Sequence, residues 1–383
     1  MKIGVEASAL ARKQRTGVDH YAFNLVKALA ELRPRDEFVL PYLYFFTKPD
    51  TDMGFRLENV AQKRVGFIPG KVYNVLFRYL WAPPIDLLGR AKADIYVFPN
   101  FVRWPLLFTR KSLVIIYDLS YIHSAENSAA RHKSFLTKFV PRAIARSKAV
   151  ITISENSKRE IMTQYDVKSK DIVVAPPAVD TAFFKPIAKD QCSGVLEEQG
   201  LKYGRYILFI GTIEPRKNIN GLLDACALLD PKIRELFPLV LVGGKGWLDD
   251  VIHSKIAAMR DRGLSIIQVG YLPYADLPKF YSGASVFVFP SLYEGFGMPP
   301  LEAMACGTPV VVANNSSLPE VVGEAGLLVN ATSPQAIAAA IDQVIGDKAL
   351  AKRLVASGFE QVKKFSWKTS AQTVSDLIDR CAK

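Results

Sequence analysis

The segment over residues 284–307 constrains the fold of this chain more than any other. Residues 284–290 form an unbroken apolar run, which predicts a strand buried on both faces of a sheet. Pro299 and Pro300 suit the first turn of a helix, because a missing N–H costs nothing there. The pattern then predicts a helix over residues 301–306, ended by Gly307. Free backbone amides at the turn and the helix start make this segment a predicted anion site.

Two glutamates flank this predicted anion site. Glu294 lies at its mouth, and Glu302 lies about two helical turns further along the chain. Backbone amides suit a diphosphate, whereas carboxylates accept hydrogen bonds from sugar hydroxyls. A sugar nucleotide carries both groups, so the segment predicts a nucleotide-sugar site. The competing interpretation is a surface helix with two solvated acids.

The length and composition of the chain predict two globular α/β domains. A chain of 383 residues suits two domains of ordinary size, and 49% hydrophobic with 22% charged residues excludes a disordered protein. Strand-like and helix-like segments alternate, which predicts doubly wound parallel sheets. Strands are predicted in the first half over residues 3–5, 94–98, 112–117 and 149–153, and helices over 21–32 and 156–164. Strands are predicted in the second half over residues 206–211, 239–244, 266–269, 286–289 and 310–312.

A domain boundary is predicted near residues 176–190, where prolines and a polar stretch separate the two strand series. The predicted domains are residues 1–185 and 186–368. Ligands of such sheets bind beyond the carboxyl ends of the strands. With two sheets facing each other, the site is expected in the cleft between them.

Several features argue against export, membrane insertion and metal binding. The chain starts with a strand-like segment rather than a signal peptide, and no apolar run reaches the length of a membrane span. The cysteines are scattered, which predicts reduced thiols in a cytoplasmic protein: Cys192, Cys226, Cys306 and Cys381. Four scattered histidines and the absence of an Asp-x-Asp signature predict that neither a metal nor another cofactor is required.

The excess of basic over acidic residues lies entirely in the first half of the chain. Residues 1–185 hold 29 Lys and Arg against 17 Asp and Glu, whereas residues 186–383 hold 20 of each. A net charge of +12 in one half attracts anions such as lipid headgroups, lipid diphosphates or nucleic acid.

The motif around Glu294 resembles that of the family-four retaining glycosyltransferases. Their hallmark is a glutamate, seven residues and a second glutamate, which stands here as Glu294 and Glu302 with Gly-Phe-Gly after the first. Residues 304–311 and 318–320 are also similar to the family. The resemblance implies two Rossmann-like domains facing across a cleft, the GT-B fold, with a last helix over about 369–383 that packs back on the first domain.

The resemblance also implies a donor site in the second domain. Lys217 follows a Pro-x pair and is expected to neutralise the donor diphosphate, with Arg216 beside it. Many relatives have Arg after the strand glycine, where this chain has Thr212. Glu294 is expected to bind the donor sugar hydroxyls and Glu302 the ribose. The other donor-site residues implied are Gly211, Gly243, Tyr271, Leu272, Gly295, Phe296, Gly297 and Met298.

On the acceptor side, the polar glycine loop over residues 15–20 resembles a family loop that closes over the phosphate and acceptor. Gly17 permits a close backbone approach, and Asp19 and His20 are candidates for acceptor contact. Tyr117 replaces a histidine found in many relatives, and Asp118 is the first-domain carboxylate expected near the reaction centre. Ser154 matches a family serine near the cleft. The predicted catalytic residues are Glu294, Lys217 and Asp118.

The reaction implied is transfer of a hexose from a nucleotide diphosphate to a hydroxyl with retention of configuration. Similarity to bacterial mannosyl- and hexosyltransferases favours GDP-mannose, with uridine donors open. Basic and aromatic residues alternate between residues 56 and 148, which suits peripheral contact with an anionic membrane at its inner face. A lipid-diphosphate-linked saccharide is the natural acceptor there, in polysaccharide or glycolipid assembly.

Two other readings remain open from the residues alone. One is a sugar-nucleotide epimerase of the same fold, although its acids are not identifiable in the sequence. The other is a non-catalytic protein that binds anionic lipid or nucleic acid. Paired aromatics of RNA-binding motifs are not visible, so a nucleic-acid partner is not expected.

Overall fold

The computed structural model describes residues 1–11, 16–44, 52–79, 82–123, 130–244 and 250–383. The chain divides into two compact units. The first unit comprises Met1–Pro177 and Ser366–Lys383, and the second comprises Ala178–Phe365.

The described part of the first unit contains a seven-stranded parallel sheet with the order β3-β2-β1-β4-β5-β6-β7. Its strands are β1 Lys2–Val5, β2 Glu37–Tyr44, β3 Val60–Pro69, β4 Ile95–Phe98, β5 Ser112–Ile115, β6 Ala149–Thr152 and β7 Ile172–Val174. The residues of β4, β5 and β6 are all buried, as expected for apolar strands in the middle of a parallel sheet. The strand order reverses between β1 and β4, which makes this pair the switch point of the sheet.

The helices up to residue 177 are α1 Gly17–Leu32, α2 Gly70–Tyr79, α3 Ile85–Leu88, α4 Ser120–His123, α5 Ala130–Arg146 and α6 Glu155–Tyr165. Helix α6 begins at Glu155, one residue before its predicted start, and the Ser154 hydroxyl caps it by accepting the N–H of Ser157. Helix α1 begins four residues before the predicted start at Tyr21.

The second unit contains a six-stranded parallel sheet within its described residues, with the order β10-β9-β8-β11-β12-β13. Its strands are β8 Ile207–Ile210, β9 Leu239–Val242, β10 Ile266–Gly270, β11 Val286–Phe289, β12 Val310–Ala313 and β13 Gly326–Val329. Its helices are α7 Lys189–Glu197, α8 Ile219–Ala227, α9 Pro231–Leu236, α10 Asp250–Asp261, α11 Leu277–Gly283, α12 Met298–Ala305, α13 Leu318–Val322, α14 Pro334–Gly346 and α15 Lys348–Lys363. All five strands predicted in the second half correspond to strands of this sheet.

The last helix, α16 Trp367–Ala382, belongs to the first unit. The ring of Trp367 packs against Tyr21 of α1 at 5.5 Å between centroids. Arg33 and Asp379 form an ion pair at 2.8 Å. The Ser370 hydroxyl donates to the carbonyl of Pro176 at 2.6 Å. Aromatic packing, an ion pair and a hydrogen bond thus attach α16 to elements of the first unit.

The division between the units falls after Pro177, eight residues before the predicted residue 185. Phe184 is buried, and its ring contacts Tyr274 and Tyr281 of the second unit at 5.8 and 6.1 Å. Phe183 stacks on Tyr274 at 4.6 Å. These aromatic contacts place residues 178–185 with the second sheet. No helix in the described part of the chain is long and apolar enough to cross a membrane.

Candidate active site

The loop between β11 and α12 carries the first predicted glutamate. Gly297, the residue before α12, has a φ of +123°, a conformation that L side chains rarely adopt. A Cβ atom at this position would lie 2.7 Å from Leu318 Cδ2, so space as well as conformation requires glycine. Pro299 and Pro300 occupy the first turn of α12 and have no N–H. The amides that can face an anion at this helix start therefore come from the loop residues before the prolines.

Two serines after β12 hold the backbone of this loop. The N–H of Glu294 donates to Ser316 Oγ at 3.0 Å. The hydroxyl of Ser317 donates to the carbonyl oxygens of Glu294 and Phe296 at 2.9 and 2.6 Å. The position of the Glu294 side chain is therefore set by a loop that is fixed at both ends of its turn.

Glu294 forms a buried ion pair with Lys217. Lys217 Nζ lies 2.6 Å from Glu294 Oε1, and the two residues are only 9% and 8% exposed. The guanidinium of Arg216 lies 3.1 Å from the other carboxylate oxygen. Lys217 ends a short 3₁₀ helix, Pro215–Lys217, that follows β8. The structure thus brings three predicted donor-site residues together beyond the carboxyl ends of the adjacent strands β8 and β11.

Arg216 is also held by a residue that the sequence analysis did not single out. Glu214 Oε1 accepts hydrogen bonds from Nε and Nη2 of Arg216 at 3.1 and 2.7 Å. The carbonyl of Tyr293 accepts from Nη1 at 2.8 Å. Glu214 stands two residues before Arg216 in the same motif, and this position is the sequence feature that could have indicated it as a site residue. The cluster formed by Glu214, Arg216, Lys217 and Glu294 has two positive and two negative charges.

The electrostatics of the cluster keep Glu294 ionised. Burial by itself raises the pKa of its carboxyl, but the charges of Lys217 and Arg216 outweigh burial and hold the pKa below its ordinary value. Lys217 Nζ also lies 4.9 Å above the centre of the Phe289 ring, a cation–π contact within the site. A carboxylate in this setting is an acceptor of hydrogen bonds, and it is not a proton donor near neutral pH.

The ends of β8, β9 and β10 meet closely through glycines. Gly211 donates its N–H to Val242, and Gly243 donates to Gly270, at 2.9 and 2.8 Å. Gly243 has a φ of +154°, and a Cβ atom there would lie 1.9 Å from the carbonyl oxygen of Gly211. Gly243 is therefore required for strand contact. Lys245 and Gly246, which follow Gly243 and Gly244 in the sequence, lie outside the described residues.

Three further predicted donor residues lie at these strand ends. Thr212 follows Gly211 and is exposed, and Tyr271 follows β10 with 84% of its surface exposed. Leu272 is half-buried. The expected contacts of these residues with a nucleotide remain predictions.

Glu302 is hydrogen-bonded to a residue that does not belong to the ion-pair cluster. Its Oε2 accepts a hydrogen bond from the hydroxyl of Tyr281 at 2.8 Å. Burial raises the pKa of Glu302 to about 7, although the hydrogen bond from Tyr281 acts in the opposite direction. The second glutamate of the motif therefore changes its protonation state near neutral pH, unlike the first.

The residues predicted as an acceptor loop lie in the first turn of α1. Gly17, Asp19 and His20 are helical, which corrects the prediction of a loop up to residue 20. The reason is a capping box in which Asp19 Oδ2 accepts the N–H of Thr16 at 2.9 Å while Thr16 Oγ1 accepts the N–H of Asp19. Asp19 is buried and His20 is exposed. Arg15 lies outside the described residues.

The other first-unit candidates make contacts within their own unit. Tyr117 is buried, and its hydroxyl donates to the carbonyls of Pro99 and Val18 at 2.6 and 3.3 Å. Asp118 Oδ1 accepts the N–H of Ser120 at 2.9 Å, at the start of α4. Ser154 caps α6 and is 1% exposed. Tyr117 and Ser154 thus have structural roles in the described contacts, and their contact with an acceptor stays a prediction.

No group of three or more His, Cys, Asp or Glu residues that could hold a metal ion occurs within the described ranges. Around Glu294 the structure brings together two cations and two carboxylates instead.

Two family models match the chain. Residues 15–183 match the model described as Glycosyltransferase Family 4, and residues 197–361 match the model described as Glycosyl transferases group 1. The chain is 35% identical over 371 residues to the O-antigen chain mannosyltransferase B of Escherichia coli, which covers 94% of this chain and 95% of that protein.

Solved structures share the fold. A sucrose-phosphate synthase from Thermosynechococcus elongatus superimposes with a TM-score of 0.76 at 22% identity, covering 99% of this chain and 98% of that one. HepE from Anabaena, in complex with UDP and glucose, gives a TM-score of 0.72 at 18% identity, covering 99% and 100%. These matches confirm the predicted GT-B fold and the prediction of a hexosyltransferase enzyme. The chain belongs to the family-four glycosyltransferases.

Proposed function

We propose that this enzyme transfers mannose from GDP-mannose to a hydroxyl of a saccharide acceptor, with retention of the anomeric configuration. The observation that carries the proposal is the buried cluster of Lys217, Arg216 and Glu294 beside the loop that starts α12. It combines cations for a diphosphate with a carboxylate for sugar hydroxyls. Identity of 35% along nearly the whole of an O-antigen chain mannosyltransferase supports mannose as the sugar.

Each residue of the donor site has a distinct proposed role. Lys217 stabilises the negative charge that grows on the leaving diphosphate, with Arg216 and the loop amides of Phe296 to Met298 beside it. Fixed cations and amides in these positions do the work of a metal, so we propose that none is required. Glu294, ionised by its cationic neighbours, accepts hydrogen bonds from the sugar hydroxyls. Glu302 accepts hydrogen bonds from the ribose.

Retention is proposed to occur by attack on the face that the leaving group departs from. The bond between the anomeric carbon and the phosphate oxygen breaks, and its electron pair goes to the phosphate. The acceptor oxygen bonds to the same face of the sugar, and its proton passes to the departing phosphate oxygen. Asp118 is the proposed carboxylate of the first unit near this centre, since it follows the carboxyl end of β5.

The acceptor is proposed to be a lipid-diphosphate-linked saccharide, used at the inner face of the cell membrane. Residues 1–185 have a net charge of +12, which attracts an anionic surface. Helix α2 exposes Val72, Val75 and Tyr79, and Phe108 is also exposed. Exposed apolar side chains in a basic unit suit an interfacial contact. Trp81, part of the aromatic pattern in the sequence, lies outside the described residues.

A uridine donor is the second candidate. It is favoured by the structural match to HepE, which was determined in complex with UDP and glucose. Glu302 binds ribose in either case, so the glutamate motif does not select the base.

A thermal-shift panel of the purified protein tests the proposal. GDP-mannose, UDP-glucose, UDP-N-acetylglucosamine, UDP-galactose and dTDP-rhamnose are compared at the same concentrations. We expect GDP-mannose to raise the Tm, by an amount equivalent to about 2.7 kcal/mol at a hundred times its Kd. Lys217→Met should abolish the shift, while Lys232→Met, at an exposed position, should preserve it. A shift with a uridine donor alone would replace mannose in the proposal, and no shift with any donor would refute the donor site.

A further inference from the structure

Asn218 directly follows Lys217 and holds a left-handed backbone conformation. Its φ is +56° and its ψ is +40°. Asparagine and aspartate adopt this conformation more readily than most residues with a side chain, and glycine adopts it freely. The residue ends the 3₁₀ helix that carries Lys217 and is the N-terminal cap of α8. Glycine as well as asparagine would therefore meet the needs of the backbone at this position.

The side chain of Asn218 adds contacts that glycine could not make. Its Oδ1 accepts the N–H of Gly221 in the first turn of α8 at 3.3 Å. Its Nδ2 donates to the carbonyl of Pro290 at 3.1 Å and to that of Ala331 at 2.6 Å. A Cβ atom at Gly221 would lie 2.6 Å from Oδ1 of Asn218, so the glycine leaves room for the amide. One side chain thus joins the segments that follow three strands, β8, β11 and β13.

The segment after β11 is bonded to the chain on both sides of Lys217. On one side, the amide of Asn218 donates to the carbonyl of the first residue after this strand. On the other side, the carbonyl of Arg216 accepts the N–H of Leu292 at 2.9 Å. The same segment continues to Glu294, the ion-pair partner of Lys217. These two hydrogen bonds therefore tie the backbone of the lysine to the loop that carries its partner.

The backbone position of Lys217 matters because its charge lies at the end of a flexible four-carbon stem. A cation stabilises a leaving group best when it is fixed in place before the reaction. Misplacement of a catalytic group by about 1 Å can lower the rate by about 10²-fold. Lys217 Nζ lies 2.6 Å from Glu294 Oε1, a distance that depends on the two loops staying together.

We propose that Asn218 is a positioning residue for Lys217, whose amide holds the loop after β8 against the loop after β11. The inference rests on the proposed role of Lys217 in the transferase reaction, and it adds a residue that acts through Lys217. Asn218 belongs to the sequence motif around Lys217. Its partners Pro290 and Ala331 lie 72 and 113 positions away, so the motif alone does not indicate this role.

Two substitutions separate the conformation of Asn218 from its hydrogen bonds. Asn218→Gly keeps the left-handed turn and removes the amide, and as the milder change it decides the test if Asn218→Asp does not fold. Asn218→Asp keeps the acceptor for Gly221 and places an oxygen where the donor faces two carbonyls. The matched control is Asn59→Asp in the first unit. Asn59 is partly buried like Asn218, and its Nδ2 donates to three backbone carbonyls at 3.0, 3.2 and 3.2 Å.

The first measurement is the reactivity of Lys217 in the folded variants. Reductive methylation with formaldehyde and dimethylamine–borane, followed by mass spectrometry, gives the rate at Lys217 relative to the exposed Lys232. Lys217 is buried and paired with Glu294, so it should react slowly in the wild-type protein. Loss of the hydrogen bonds of Asn218 should raise this rate by about tenfold in both variants. Asn59→Asp should lower the Tm and leave the rate unchanged.

The second measurement is donor affinity by isothermal titration calorimetry. The ligand is GDP-mannose, or the sugar nucleotide of the thermal-shift panel that raises the Tm in its place. Its affinity should fall by about tenfold in both Asn218 variants, because a displaced Lys217 no longer meets the diphosphate. Asn59→Asp should keep the wild-type affinity.

The outcomes separate this inference from the proposed function. An unchanged methylation rate of Lys217 in the Asn218 variants would overturn the inference, as would a faster rate combined with wild-type donor affinity. An equal rise in rate in Asn59→Asp would also overturn it, because lost stability would then explain the effect. Absence of donor binding by the wild-type protein would instead refute the proposed function, and the inference with it.

Discussion

Replacing Glu294 by glutamine tests whether the buried ion pair competes with the donor diphosphate. In the structure, Glu294 is the anion paired with Lys217, at 2.6 Å. The substitution removes the negative charge and keeps the shape and one hydrogen-bond acceptor. Arg216 keeps its second carboxylate partner, Glu214, at 2.7 Å. The change therefore leaves mainly the charge of Lys217 uncompensated.

The expected loss of stability follows from burial. Removing one partner of a buried ion pair typically costs about 3–5 kcal/mol. Glutamine retains an acceptor for the Lys217 ammonium, so we expect about 3 kcal/mol, at the lower end of that range. For a unit of this size each kcal/mol corresponds to about 2–4 °C in Tm, so the Tm should fall by roughly 6–12 °C.

The two ligands of the site should then respond in opposite directions. A nucleoside diphosphate without the sugar no longer competes with Glu294 for Lys217, so its affinity should rise by about tenfold, equivalent to roughly 1.4 kcal/mol. The intact nucleotide sugar loses its hydroxyl acceptor, so its turnover should fall by about 10²–10³-fold.

Isothermal titration calorimetry with GDP measures the affinity, and an assay of sugar transfer from GDP-mannose measures the turnover, both at a temperature where the variant is folded. The matched control is Glu320→Gln, a partly buried glutamate of the neighbouring α13. Weaker GDP binding in Glu294→Gln than in the wild-type protein would refute the competition, since Lys217 would then need the carboxylate in order to bind phosphate.

Four other outcomes follow from the site. Lys217→Met should lower kcat by about 10²–10³-fold in folded protein, and a wild-type kcat would refute its leaving-group role. Because the pKa of Glu302 is raised to about 7, its carboxylate form is lost as the pH falls, so donor KM should rise below pH 7. Tyr281→Phe removes a hydrogen bond that favours the carboxylate and should move this rise in KM to higher pH. A pH-independent KM would contradict the role of Glu302. Gly297→Ala should cost about 1–3 kcal/mol of stability and raise donor KM. Gly194→Ala, inside α7 where a Cβ meets no atom within 4 Å, should leave the kinetics unchanged and raise stability by about 0.5–1 kcal/mol, because alanine favours a helix interior. Activity should survive treatment with EDTA, and a loss that Mg²⁺ or Mn²⁺ restores would show that the cations of the site do not replace a metal.

The central strands could be predicted because they are uniformly apolar. Strands β4, β8, β9, β11 and β12 each coincide with a run of apolar residues that the sequence alone shows. Strands β2, β3, β7 and β13 were not predicted. Pro41 within β2 is one physical reason, since proline argues against an internal strand. The structure accommodates it because β1 pairs with β2 only at Glu37–Val39, before the proline.

The sequence indicated candidate site residues but not the contacts between them, and the function of these residues stays a prediction. Spacing and resemblance indicated Lys217 and Glu294, but nothing in a linear pattern indicates that residues 77 positions apart pair with each other. The helical start of α1 shows a second limit. Thr16 and Asp19 have the spacing of a capping box, yet their position beside a glycine favoured a loop. Pairing partners depend on how loops converge at strand ends, which the periodicity of single elements does not record.

The net charge of the cluster around Glu294 links the two proposed roles of the donor site, which are binding of the sugar and binding of the diphosphate. The residue after the strand glycine is the uncharged and exposed Thr212, and Arg216 is already shared between Glu214 and Glu294. A neutral cluster offers a diphosphate little net attraction at a distance. On the proposed function, sugar hydroxyls that hydrogen-bond to Glu294 would weaken its pairing with Lys217, so we expect each half of the donor to promote binding of the other. We expect that, once the sugar has been transferred, Glu294 pairs with Lys217 again and the same competition favours release of the nucleotide.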